Sequence, residues 1–183
     1  MRRRLHGKAP TVVGLDLSLT GTAACALPIG WDHDMYRART MKAGYMLPND
    51  STPEAYVQRL VSIVDAVVEF CQRRKAKYVF VEGYAFSAML SRAHSLGELG
   101  GVVKKDVYIR LQKVVTPIVV SRARKILLQK LPRADSKKFT IKNVKRLEGP
   151  SWGWSEDECD SFVIANAGLM MTGGVAMTFP GEW

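Results

Sequence analysis

Apolar positions recur along this chain with two different periods, and the switches between them mark out its elements. "TVVGLDLSLTGTAACALPI" opens with β-branched and aliphatic residues, breaks at Ser18 to Gly21, and resumes as small apolar residues. That pattern predicts strand, turn, strand. A weaker alternation from Arg37 to Met46 predicts a third strand. "NDSTPEAYVQRLVSIVDAVVEFCQRR" then changes to helical spacing, with Tyr56, Leu60, Ile63, Val64, Val67, Val68 and Cys71 along one face. A Ser or Thr cap and Pro53 near the first helical position mark its start. "AKYVFVEGYAF" is a short β-rich run that ends at Gly83, the pattern of a buried strand.

A second helix is expected from about Ser91 to Leu111, although Gly97, Gly100 and Gly101 each lower helix propensity by up to about 1 kcal/mol. Glycines placed there suggest close backbone approach. "VVTPIVV" reads as a strand, "SRARKILLQKL" as a helix opened by Ser121, and "PRADSKKFTIKNVKRL" as a basic loop leading into a short helix. The last helix runs from Ser155 to about Met171. Ser155 followed by Glu158 forms a capping box, and acids in a first turn favour the positive end of the helix dipole. "TGGVAMTFPGEW" is a tail whose aromatic residues could dock elsewhere. Three strands followed by helix, strand, helix, strand and helices predict an α/β fold, a mixed sheet with helices on both faces. With no repeat and no linker, one domain is expected from residue 11 to 172, between a basic arm (1–10) and a C-terminal tail (173–183).

Composition narrows the partners. The chain has 183 residues, 47% of them hydrophobic, enough for one compact domain with a real core. Its 27 Lys and Arg against 17 Asp and Glu give a net charge of +10, a field that attracts polyanions, nucleic acid first among them. Cys25, Cys71 and Cys159 show no C-x-x-C spacing, so neither a disulfide framework nor a thiolate zinc site is indicated. His6, His33 and His94 share no spacing that would ligate a metal. No run of 18 apolar residues occurs, and "MRRRLHGKAP" lacks the apolar core of a secretion signal. A soluble, cytoplasmic protein with no membrane partner is expected.

Against that basic background the acids stand out. Asp16 sits between Leu15 and Leu17 in an apolar strand, and Glu82 ends "YVFVE" in the same way. A carboxylate there is costly unless it is paired or bound to a metal. Asp157 and Asp160, three apart on one helix face, repel each other unless a cation lies between them. Each acid alone also fits a bland role as a salt-bridged strand end or a solvated helix end. Together they can converge at one sheet edge as hard oxygen ligands of the type Mg²⁺ or Mn²⁺ prefers. Such a cluster suits two-metal phosphodiester hydrolysis.

The same residues carry a family resemblance. "GLDLSLTGTA", "VFVEGYAF" and "DECDSFVIANAG", in this order, resemble the three acidic motifs of RuvC-type Holliday-junction resolvases in the ribonuclease H-like superfamily. "SLGELGGVV" is similar to the family's Leu-Gly-x-x-x-Gly helix, and "SRARKILLQKLPRADSKKFTIKNV" to its basic segment; the match spans most of Val12 to Leu169. The resemblance implies a ribonuclease H-like mixed five-stranded sheet, a homodimer, and Mg²⁺-dependent symmetric nicking of four-way DNA junctions. It implies Asp16, Glu82, Asp157 and Asp160 as metal ligands and Lys137 as the lysine near the scissile phosphate, with Arg124 or Lys125 at the earlier basic position. Leu17-Ser18 replaces the family's usual Pro-Gly, and the basic segment is longer and lacks Thr-Gly-x-Gly. Such drift suits a phage or other divergent member, in a bacterial or phage-infected host cytoplasm or associated with the nucleoid, and it removes any guide to sequence preference at the cut.

Lys and Arg crowd positions 122 to 146, with Arg124, Lys125, Lys137 and Lys138 as candidate DNA contacts. They can track phosphates, with salt-dependent affinity that carries little sequence information. Tyr84 and Phe86, just after Glu82, could stack on or wedge open bases at a junction centre, or equally serve as core or dimer contacts. Two other functions fit the same features: a nuclease of this fold acting on flaps, forks or RNA–DNA hybrids, and a non-catalytic branched-DNA-binding protein.

Overall fold

The computed structural model describes residues 9–30, 39–43, 52–83, 90–129, 135–148, 153–174 and 178, with no side-chain detail for 90–93 and 147–148. Five strands, β1 (Thr11–Asp16), β2 (Thr22–Pro28), β3 (Arg39–Ala43), β4 (Ala76–Glu82) and β5 (Val115–Ile118), form one sheet in the order β3-β2-β1-β4-β5. β2 runs antiparallel to both of its neighbours, whereas β1, β4 and β5 are parallel. The helices are α1 (Pro53–Arg73), α2 (Leu90–Leu111), α3 (Val120–Leu128), α4 (Ser136–Glu148) and α5 (Glu156–Met171). The mixed α/β sheet read from the sequence is thus observed, including the third strand, whose described part is Arg39–Ala43.

Strand alternation divides the core in two. Val12, Cys25, Leu27, Phe80 and Ile118 point to the face covered by α3, α4 and α5. Their neighbours Val13, Leu15, Ala24, Ala26, Val79 and Val81 point to the other face, under α1 and α2. One residue of register slip would exchange the two sets, so hydrophobic burial on both faces fixes the pairing. α1 buries the stripe its period predicts, and Thr52 caps it by accepting from the N–H of Ala55 at 3.1 Å.

α5 differs from the other helices in being buried on all sides from Cys159 to Leu169. A helix apolar around its circumference belongs in the middle of a protein, and here it lies between the sheet and α3 and α4. Two glycines let it sit there. A Cβ on Gly14 of β1 would lie 2.3 Å from the backbone N of Ala165, and one on Gly168 would lie 2.2 Å from the Phe80 ring. On α2, Gly97 and Gly101 take no part in such an approach: a Cβ at either would meet nothing within 4 Å.

Ser121 does not cap α3. The residue before the helix is Val119, which makes no side-chain cap bond, and its carbonyl takes the N–H groups of Arg122 and Ala123 at 2.9 and 3.1 Å. A single residue separates β5 from this helix, so the chain turns before a serine cap can form. Tyr84, Phe86, residues 1–8 of the basic arm and nearly all of the tail beyond 174 lie outside the described residues. No described helix is long and apolar enough to cross a membrane.

Candidate nuclease site

β1 and β4 are parallel neighbours, and Leu15 stands opposite Val81. The next step along both strands brings Asp16 and Glu82 side by side at their C-terminal ends, where α/β sheets commonly hold their ligands. Both acids share the parity of Val12 and Phe80, so they sit on the α5 face. The first turn of α5 ends over them. Its capping box is complete: Ser155 Oγ accepts from the N–H of Glu158 at 3.3 Å, and Glu158 Oε2 accepts from the N–H of Ser155 at 2.9 Å. That box fixes where the helix begins, and hence where Asp157 and Asp160 project.

The four acids lie within one another's fields. Burial first, then the charges of Glu82, Asp160 and Asp157, push Asp16 up to about 8 from its ordinary 3.8, while Lys137 opposes the rise. Glu82 is also raised, by burial and then by Asp160, against the pull of Arg124, a hydrogen bond with Asp16 and the charge of Lys137. Desolvation and like charge thus act together, and a nearby cation is what would relieve both. Asp16, Glu82, Asp157 and Asp160, drawn from β1, β4 and α5, are near enough to act on one another's charge.

Three basic side chains enter the cluster. Arg124 Nη2 lies 3.1 Å from Oδ1 of Asp160, and Lys137 Nζ lies 3.2 Å from its Oδ2 and 3.9 Å from Glu156. Burial opposes the charge on Lys137, but Asp160, Asp16 and Glu156 outweigh it and hold its pKa above the ordinary lysine range. Arg124, expected on a phosphate-tracking surface, is only 11% exposed and serves Asp160 instead. Lys125 and Lys138 are exposed on α3 and α4, and Lys138 is 3.8 Å from Asp135.

The third cation was not anticipated. Lys42 of β3 places Nζ 3.1 Å from Oδ2 of Asp157. Its only sequence signal is a polar residue on one parity of a weak strand.

The donor set is four carboxylates and no imidazole or thiolate, which suits a hard divalent cation by chemistry. As the side chains stand, no three Asp, Glu, His or Cys among the described residues are close enough together to enclose a metal ion. Asp157 and Asp160 are instead turned toward the lysines and the arginine. A metal would therefore have to draw these two carboxylates away from their present partners.

No protein-family model and no curated protein sequence matches the chain. Solved structures do. Thermus thermophilus RuvC in complex with a Holliday junction substrate superposes with a TM-score of 0.65 at 17% identity, over 90% of this chain and 96% of that one. The yeast mitochondrial Holliday junction resolvase gives 0.58 at 12% identity, over 91% and 80%. Fowlpox virus resolvase with its Holliday junction DNA gives 0.50 at 11%, over 88% and 98%. The chain has the ribonuclease H-like fold of the RuvC-type resolvases, as its acidic motifs imply.

Proposed function

We propose that this chain, through a nuclease domain spanning residues 11–172, is a metal-dependent, structure-selective endodeoxyribonuclease that resolves four-way DNA junctions as a homodimer by paired symmetric nicking. The observation that supports this reading is that Asp16, Glu82, Asp157 and Asp160, with Lys137 beside them, lie near enough at the C-terminal ends of β1 and β4 to shift one another's charge. That the fold is shared with resolvases solved on junction DNA supports the choice of substrate.

Asp16, Glu82, Asp157 and Asp160 would hold the cations, Mg²⁺ or Mn²⁺. Divalent ions there would supply an activated water and charge stabilisation at the leaving oxygen. The protein's own groups do the rest. Lys137, about half exposed beside Asp160, would bind a non-bridging phosphate oxygen at the scissile link. Arg124 holds Asp160 from beneath and neutralises part of its charge, so that a phosphodiester can approach four acids without full repulsion. Lys125 and Lys138, exposed on neighbouring helices, would bind the phosphates that flank the cut. The field of a +10 chain adds to this attraction, and affinity should fall steeply with salt. Twofold symmetric nicking needs two equivalent sites, which a C2 dimer provides. Val57 and Val61 on α1, with Tyr108 and Ile109 on α2, are each more than half exposed and offer apolar surface for such a contact.

A labelled immobile four-way junction incubated with Mg²⁺ and run on a denaturing gel should show paired symmetric nicks. Asp16→Asn should still shift the junction in a binding gel but cut nothing. Nicking by that variant at the wild-type rate would sink the site assignment. Faster cutting of a flap, fork or RNA–DNA hybrid in parallel lanes would replace the substrate while keeping the chemistry.

A further inference from the structure

Lys42 stands in register with the catalytic strand. It pairs with Ala23 on β2, and Ala23 pairs with Asp16 on β1, so the three residues form one row on the α5 face. Adjacent strands lie about 4.7–4.9 Å apart, which puts the Lys42 backbone roughly 10 Å from that of Asp16. The residue between them is a fully buried alanine, whose methyl group leaves the lysine stem room to cross toward the acids.

Gly21, in the turn between β1 and β2, supplies the remaining space. A Cβ there would fall 2.8 Å from Asp157 Oδ2 and 3.3 Å from Lys42 Cε. The turn is braced by Thr22, whose hydroxyl donates to the carbonyl of Ser18 at 2.6 Å and accepts from the Ser18 N–H at 3.0 Å. A side chain at position 21 would therefore push directly on the Lys42–Asp157 pair. Arg124 and Lys137 both serve Asp160, whereas Lys42 serves Asp157 from the opposite flank of the site. Its side chain is 46% exposed, so its ammonium can leave the carboxylate for water at small cost.

We propose that Lys42 is a positioning residue that acts through Asp157, its ammonium competing with a divalent cation for Oδ2 of that carboxylate. This rests on the metal-dependent reading above. Lys42 keeps Asp157 turned toward the β1–β2 turn and lowers the negative charge of the cluster. It must give up Oδ2 before Asp157 can serve as a metal ligand.

Mn²⁺ binding to the DNA-free protein, followed by the electron paramagnetic resonance signal of the free ion, tests this without any turnover. Removing the competitor in Lys42→Met should tighten Mn²⁺ by about two- to fivefold, the scale of a solvent-screened ion pair. Lys42→Gln, polar but uncharged, should do the same, which guards against a local packing fault peculiar to methionine. Lys42→Arg should stay near wild type. In an Asp157→Asn background, Lys42→Met should tighten Mn²⁺ much less, because the oxygen competed for has lost its charge and only the weak repulsion between ammonium and metal ion is relieved. Unchanged or weaker Mn²⁺ binding in both Lys42→Met and Lys42→Gln, or the same tightening without Asp157, would overturn the proposal while leaving the metal site standing. A wild-type protein that binds no Mn²⁺ would remove the metal reading, and this inference with it.

Discussion

Arg124 donates from Nη2 to Oδ1 of Asp160 at 3.1 Å, and the two side chains are only 11% and 4% exposed. A buried ion pair contributes little net stability, yet removing one partner strands a charge and typically costs about 3–5 kcal/mol. Lys137 stays on the other oxygen of Asp160 and offsets part of that. Arg124→Ala should therefore lose about 2–3 kcal/mol in urea unfolding. Adding Asp160→Asn should recover some of the loss, since no unpaired charge then remains buried.

Asp16 binds its proton more tightly in the folded chain than in the unfolded one, with a pKa near 8 against 3.8. For a group raised in this way, the stability it contributes is complete below the unfolded value and is lost as pH rises through the folded one. In EDTA, the thermal midpoint of the wild type should fall between about pH 5 and pH 8.5, and more steeply than that of Asp16→Asn. Excess Mg²⁺ at the upper end should raise the wild-type midpoint by mass action and the variant's much less. Parallel curves for the two proteins would contradict the raised affinity.

Gly14 and Gly168 both admit α5, but they face different neighbours. A methyl at Gly14 meets the backbone of Ser161 and Ala165, which cannot move without shifting the helix, whereas one at Gly168 meets the Phe80 ring. Gly14→Ala should cost on the order of 3 kcal/mol or more, and Gly168→Ala less, because a side chain can yield where backbone cannot. Denaturant unfolding of the pair gives the order directly. Gly14→Ala should also slow nicking in conditions where it remains folded, since displacing α5 displaces Asp157 and Asp160.

Ser155→Ala removes one half of the capping box and should destabilise the protein by about 1 kcal/mol. The larger effect should be on metal-dependent cleavage, because the turn that frays carries Asp157. A fall in activity smaller in Ser155→Gly, since glycine is a tolerable cap, and rescued by Ser155→Asp, an alternative cap, would tie the loss to helix initiation.

Lys137→Gln should leave the unfolding free energy within about 1 kcal/mol of wild type, since the lysine is half exposed and its pair is screened. Its nicking rate should nonetheless fall by roughly ten- to a thousandfold, the range for losing one donor to developing charge. Single-turnover cleavage at saturating junction concentration separates this from weaker binding.

The periods of the chain made its described strands and helices readable, because alternation and helical spacing are properties of neighbouring residues. The capping box at Ser155 and Glu158 was equally legible, as were the costly carboxylates at Asp16 and Glu82 that pointed to a site. What sequence could not assign was the partner of each charge. Arg124 looked like one more cation in a basic stretch until α3 was packed on α5, where it is buried against Asp160. Lys42 carried only the weak mark of a polar position in an alternating strand, since its role depends on the register of an edge strand with Ala23 and Asp16. Gly97 and Gly101 suggested close packing that falls instead to Gly14 and Gly168. Local chemistry is written in short runs of residues, and the sequence by itself determined the elements and the unusual acids. Ion pairs and close approaches depend on distances set by strand pairing and helix packing, and those the tertiary structure alone decided.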